Sequence, residues 1–292
     1  MSLYQSKNID EFDRIFTSLH HSSIKNLLYS YVHDESKALF LLVGSIPEGN
    51  ASEVSDIDII CVTNYDNIIF DNKDNAVFNG FYSFDNDPLA FFNKIIFYND
   101  VEFDILFVSA DKLMRILGRL DNSKCNFTVQ ELHVLSRIFN GWAFCETNIN
   151  KILNIIKENG KLKLFCVLRN LIGALKHMED AIIHKDRNLK LSKYLTNYAL
   201  VEFIQCIYSS FDIYDCGHKW LRGFDKLEID TDIKKIFYTL YFNESKIYGE
   251  KYDGLVKYFI NLIINYLNKD PVFKMAIKSN SQLIKYRYIY EY

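Results

Sequence analysis

The sequence predicts an α/β (α+β) protein, with strands and flanking helices in its N-terminal part and an all-α C-terminal part. Three observations lead there. Between residues 38 and 108, short apolar runs stop at glycine or at an Asn-Asp pair, the punctuation of buried strands and hairpins. Beyond the polar stretch at 121–126, apolar residues recur at helical spacing with few breaks. A chain of 292 residues with 49% hydrophobic content exceeds one typical domain and can bury two cores.

The elements follow in order. Residues 9–31 carry Phe12, Ile15, Phe16 and Leu19, then Ile24, Leu27, Leu28 and Tyr31, which is helical spacing. A break near His20, His21 and Ser22 divides it into two helices, with Ser22 or Ser23 as the cap of the second. Residues 38–43 form a first strand, ended by Gly44-Ser45, and residues 56–63 a second. Residues 64–75 are rich in Asn and Asp and read as loop; 76–84 fit a strand or an irregular connection. Residues 94–98 and 101–108 read as a hairpin around Asn99-Asp100, residues that tolerate a left-handed backbone. Ser109 suits the N-cap of a helix over 110–120, and Asp111 falls in its first turn, where negative charge favours the dipole.

Residues 121–126 mark the expected domain boundary, giving domains 1–122 and 123–292. In the second, residues 161–183 are the clearest helix, with Leu164, Phe165, Leu168, Leu171, Ile172, Leu175 and Met178 on one stripe. Arg169, Gly173, Lys176 and Asp180 line a different face, where Gly173 leaves room for a ligand beside two cations. A helix over 189–213 follows, then Lys219-Trp220-Leu221, and residues 229–292 read as two or three helices.

Composition excludes several classes. The net charge is −3 and no basic block occurs, so the footprint of a general nucleic-acid binder is missing. Six cysteines lie scattered without a CxxC pair, and Cys61, Cys166 and Cys206 sit in apolar runs as small core residues. A reducing, cytoplasmic location is expected, since no basic-then-apolar leader pattern opens the chain. No apolar stretch reaches the roughly eighteen residues of a membrane span, and no membrane partner is expected.

The chemistry concentrates in residues 41–62, LLVGSIPEGNASEVSDIDIICV. Gly44 and Gly49 permit positive φ and close approach of backbone amides to a bound group, as in loops that cradle phosphate. In an extended segment Asp56 and Asp58 share a face, and Ile57 and Ile59 take the other. Two close carboxylates repel unless a cation lies between them, and an oxygen-only donor set suits Mg²⁺. Along the returning hairpin strand, Glu102 and Asp104 also share a face, opposite Phe103, Ile105 and Phe107.

Gly44-Ser45-x-x-x-Gly49 followed by Asp56-Ile57-Asp58-Ile59 resembles the signature of the DNA polymerase β-like nucleotidyltransferase superfamily. The resemblance implies a catalytic domain with a mixed β-sheet flanked by helices over 1–122 and a helical acceptor-binding domain over 123–292. It implies that Gly44, Ser45 and Gly49 hold a nucleoside triphosphate, expected to be ATP. It also implies that Asp56, Asp58 and a third acid hold two Mg²⁺ ions. Asp104 is the expected third acid because an apolar run follows it directly, and Glu102 is held in reserve. Ile46, Pro47 and Glu48 depart from the pattern, standing where relatives often carry arginine. Lys219-Trp220-Leu221 is similar to a run in small-molecule nucleotidyltransferases, which makes Lys219 a candidate triphosphate ligand. The two-part architecture resembles the aminoglycoside-type enzymes, with Arg169 and Lys176 as candidate acceptor ligands. The expected activity is transfer of a nucleotidyl group, AMP in the first instance, to a hydroxyl or amine of a small molecule. Modification of a macromolecule such as tRNA or protein, and nucleotide binding without turnover, are the alternatives.

Overall fold

Alternation of apolar and polar residues along the strands builds the N-terminal sheet. The computed structural model describes residues 6–47, 51, 55–70, 76–81, 89–98, 100–121, 127–145, 151, 153–154, 158, 160–214, 223–242 and 250–290. The chain divides into two units, Met1–Lys161 and Leu162–Tyr292.

In the first unit, β1 (Leu39–Val43), β2 (Ile57–Thr63), β3 (Ala76–Phe81), β4 (Ala90–Tyr98), β5 (Val101–Ser109) and β6 (Trp142–Ala143) form one sheet in the order β3-β4-β5-β2-β1-β6. β2 and β5 are parallel, and every other neighbouring pair is antiparallel, so the sheet is mixed. One face carries Phe40, Leu42, Ile57, Ile59, Cys61, Phe103, Ile105 and Phe107 into a core with α1 (Ile9–His20) and α2 (Ile24–Tyr29). Phe16 meets Phe103 edge-on with ring centroids 5.8 Å apart, which seats α1 against β5. The break between these helices falls where expected: His21 takes a left-handed φ of 55° and Ser23 caps α2.

The hairpin turn also has its expected geometry, with Asp100 at φ 65°. Ser109 Oγ accepts from Lys112 N at 3.3 Å and opens α3 (Ala110–Asp121). Residues 76–81 are a strand rather than an irregular connection.

The expected boundary at 122 falls inside the first unit. Beyond it, α4 (Val129–Asn140) opens on a reciprocal capping box between Thr128 and Glu131 and packs on β1. Arg119 of α3 pairs with the same Glu131 at 2.5 Å, and its guanidinium lies 5.2 Å from the Phe127 ring centroid. Gly141 then brings the chain against β1 so closely that a Cβ there would stand 2.9 Å from Val43 Cγ1 and 3.0 Å from Leu42 O. That approach lets Trp142 and Ala143 pair with Leu42 and Leu41 as β6.

The second unit is helical. Its described helices are α5 (Lys161–His184), α6 (Leu189–Ser210), α7 (Thr231–Phe242), α8 (Glu250–Leu267), α9 (Pro271–Ser279), α10 (Ser281–Lys285) and α11 (Arg287–Tyr290). Five of them follow residue 229, more than the two or three expected. Asp270 caps α9 and Asn280 caps α10, and these short polar residues cut the C-terminal run into pieces. Leu171, Leu175 and Met178 enter the core, whereas Leu164, Leu168 and Ile172 pack at its margin.

The capping box and β6 make α4 part of the first unit's core, so the two C-terminal limits are separable by experiment. A fragment of residues 1–161 is expected to melt cooperatively in a circular dichroism scan, and a fragment of 1–122 to show no cooperative transition. Equal cooperative melting of both would place the boundary back at the polar stretch.

Candidate functional site

The site forms where three strands run side by side. Val43 of β1 pairs with Asp58 of β2, and Asp58 pairs with Asp104 of β5. Residues paired across strands project to the same face, so the two carboxylates stand next to one another. Asp56, just ahead of β2, joins them. One carboxylate oxygen from each of Asp56, Asp58 and Asp104 lies within 4.8 Å of the others, an arrangement able to hold a metal ion. Glu102 does not belong to this group, which leaves Asp104 as the third acid of the cluster.

The Gly44-Ser45 turn closes over one side. Gly44 has φ 74°, and a Cβ there would come within 2.3 Å of Asp58 Oδ2. Glycine is therefore required twice, by the backbone conformation and by the carboxylate against it. Ser45 is 8% exposed, and its Oγ has no hydrogen-bond partner among the described residues. Asp104 Oδ1 is buried in the same condition. Buried polar atoms are ordinarily paired, so two orphans, one in the carboxylate cluster and one in the turn that abuts Asp58, fit a bound group that supplies their partners. Oxygen donors only, three of them anionic, suit a hard divalent cation.

Burial pushes the Asp104 carboxyl above its ordinary value. A hydrogen bond from Asn93 and the charge of Arg137 pull it down, and the charge of Asp56 pushes it further up. Asn93 lies on β4, two residues from Ile95, which pairs with Asp104. Arg137 reaches in from α4, with Nη1 3.4 Å from Asp58 Oδ1.

Neither Asn93 nor Arg137 was singled out from the sequence. Strand alternation puts residues 91, 93 and 95 opposite the buried 92, 94 and 96, which was a signal for Asn93. For Arg137 the signal was slighter: a cation within a helix whose other described positions are mostly buried.

The remaining expected site residues are dispersed. Gly49 and Lys219, with Glu48 and Trp220, lie outside the described residues. Arg169 and Lys176 are exposed on α5 in the second unit. The space expected above Gly173 is taken: a Cβ there would stand 2.9 Å from Glu202 Oε1 of α6. Glu202 also meets His177 Nδ1 at 2.7 Å, and the His177 ring contacts Tyr198 at 4.7 Å. Burial raises the Glu202 carboxyl above its ordinary value, and His177 and Arg169 oppose the shift. Arg169 and Lys176 do not line the cavity of about 250 Å³ in this unit, whose walls include Met178, Ser192, Thr196, Val256 and Ile260.

The class these features define is a two-unit protein, one unit a mixed sheet with helices and the other helical, carrying an acidic cluster able to hold a metal ion. No protein-family model and no curated protein matches the chain. Among solved structures it is similar to a nucleotidyltransferase-like protein from Exiguobacterium sibiricum, at 13% identity and a TM-score of 0.42, covering 92% of this chain and 79% of that one.

Two substitutions test the site without a ligand. A group whose value is raised in the folded state stabilises the fold below its ordinary value and loses that contribution as pH rises through the raised one. Asp104→Asn, which fixes the neutral shape, is thus expected to raise the melting temperature of the metal-free protein at about pH 7 and to leave it nearly unchanged at about pH 3. A lower melting temperature at neutral pH would overturn the assignment of burial as the dominant effect. Gly44→Ala should cost about 1–3 kcal/mol in a denaturant titration, from backbone strain and the displaced Asp58 carboxylate.

Proposed function

We propose that this protein is a metal-dependent nucleotidyltransferase acting on a small molecule. The observation that supports the reading is the carboxylate cluster of Asp56, Asp58 and Asp104 beside the Gly44 turn, whose next residue, Ser45, has a buried hydroxyl with no hydrogen-bond partner among the described residues. Asp56 and Asp58 would hold both divalent cations, with Mg²⁺ the favoured ion, and Asp104 the one nearer the acceptor. When bound, the cations supply positive charge to the phosphoryl oxygens and lower the pKa of a coordinated hydroxyl.

The chain's own groups do the rest. Ser45 Oγ donates to a phosphate oxygen, and the Gly44 turn allows the backbone to approach it. Asp104 takes the proton released from the acceptor's hydroxyl or amine. The acceptor atom attacks the α-phosphorus of the triphosphate, with ATP as the proposed donor. A new bond to phosphorus forms, the bond to the β-phosphate's bridging oxygen breaks, and pyrophosphate leaves. In this reading Gly49 and Lys219 contribute to triphosphate binding, and Arg169 and Lys176 contact the acceptor.

The direct test is transfer of radiolabel from α-labelled nucleotides into pooled metabolite, tRNA and protein fractions. Label is expected in the metabolite fraction; label confined to tRNA or protein would replace the small-molecule reading with a macromolecular one. Binding is tested separately. Mg²⁺ with a nonhydrolysable triphosphate should raise the melting temperature by a few degrees, about 2–3 kcal/mol at a hundredfold excess over Kd. Asp56→Asn with Asp58→Asn should abolish most of that rise. Among the two candidate third acids, Asp104→Asn should lower turnover about a thousandfold and Glu102→Gln less than about tenfold.

A further inference from the structure

We propose that Arg137 is a triphosphate-binding residue that, in the nucleotide-free protein, occupies the cation's place on Asp58, so that metal and nucleotide enter together. The inference rests on the nucleotidyltransferase reading and assigns a residue that the resemblance did not indicate.

The first observation is position. Arg137 lies one turn before the end of α4, and that end is held against β1, the strand that leads into the Gly44 turn, by the close approach of Gly141 to Val43 and Leu42. The capping box at Thr128 and Glu131 and the Arg119 bridge fix the other end. Arg137 is thus delivered to the rim of the cluster by a helix anchored at both ends. Its side chain is 31% exposed and that of Asp58 12%, so the pair is partly accessible to solvent rather than sealed in the core.

The second observation is charge. Three carboxylates within 4.8 Å need a counter-charge before any ion arrives, and the guanidinium supplies one. At 3.4 Å the contact with Asp58 is longer than the roughly 2.7–2.9 Å of a strong charge-assisted hydrogen bond. A long, partly exposed contact exchanges partners readily.

The third observation is what the turn lacks. Residues 44–49 read GSIPEG, with no lysine or arginine and one acid. A triphosphate settling on Ser45 brings several negative charges to a loop that offers no positive charge in return. The planar fork of Arg137 matches phosphate geometry and stands beside Asp58, the acid that contacts the same turn. A metal ion and the guanidinium compete for Asp58. A triphosphate relieves that competition by giving the guanidinium a better partner. By linkage, the nucleotide then tightens the metal and the metal tightens the nucleotide.

The test uses the full chain as wild type, Arg137→Met and Arg137→Lys. Mn²⁺ alone is titrated by electron paramagnetic resonance, and α,β-methylene-ATP is titrated calorimetrically at saturating Mg²⁺. Arg137→Met should bind Mn²⁺ alone several-fold more tightly, because a competing cation is gone. It should bind the nucleotide about tenfold more weakly, the loss expected for one charge-assisted bond. Arg137→Lys, which keeps the charge without the fork, should fall between the two on the nucleotide titration and covers the case in which the methionine variant fails to fold. If the variants lose metal and nucleotide affinity together, Arg137 merely props Asp58 and the proposal is overturned. It is equally overturned if nucleotide affinity is unchanged while wild type binds both probes. Failure of the wild type to bind either probe instead removes the nucleotidyltransferase reading itself, and this role with it.

Discussion

The parallel pairing of β2 with β5 is the constraint from which the site follows. It sets Asp58 directly beside Asp104, an arrangement that like charges alone would oppose. At about 5 Å and an effective dielectric near 20, the repulsion is on the order of 3 kcal/mol. On the opposite face of the same strands, Ile57, Ile59, Phe103, Ile105 and Phe107 are buried almost completely. Each contributes about 1.5–3 kcal/mol by its burial. A slip of one residue in either strand would turn that strand's share of them away from this core and its aspartate into it. The core therefore wins, and it leaves a cluster of carboxylates able to hold a cation.

Much of this architecture was legible in the chain. Period-two alternation around a glycine-serine stop and an Asn-Asp turn marked β1, β2 and the hairpin, and the same alternation put Asp56 with Asp58 on one face of the first strand and Glu102 with Asp104 on one face of the other. Asp104 was preferred to Glu102 for the apolar run that follows it, while the register that sets Asp104 beside Asp58 joins distant strands and is encoded in no local pattern. Lys94 shows the limit of alternation in the other direction. Its position is a core position, and the side chain is 2% exposed with its ammonium 4.4 Å from the Tyr31 ring centroid.

What escaped the sequence are contacts between elements. The polar residues at 121–126 had the composition of a linker, yet α4 and β6 beyond them complete the first unit. A strand of two residues leaves no periodicity to find. Gly173 had the look of an opening between cations, and the structure fills it with Glu202 from the next helix. A glycine in a helix advertises that something comes close; it does not say whether the visitor is a ligand or a neighbouring side chain.

The sheet order also has a consequence for how the molecule comes to exist. β4 and β5 are joined by a tight turn, and such hairpins form within about 1–10 μs. The pairing of β2 with β5 joins residues far apart in sequence, Asp58 with Asp104, and β6 returns to β1 from residue 142. Loop closure over such separations is slow relative to hairpin formation. During synthesis the hairpin can thus form while the carboxylates are still apart, and β6 closes the sheet's edge only after residue 143 has been made. Asp58 and Asp104 therefore meet only when β2 docks on β5, in the same step that brings Ile57 beside Phe103 and Ile59 beside Ile105.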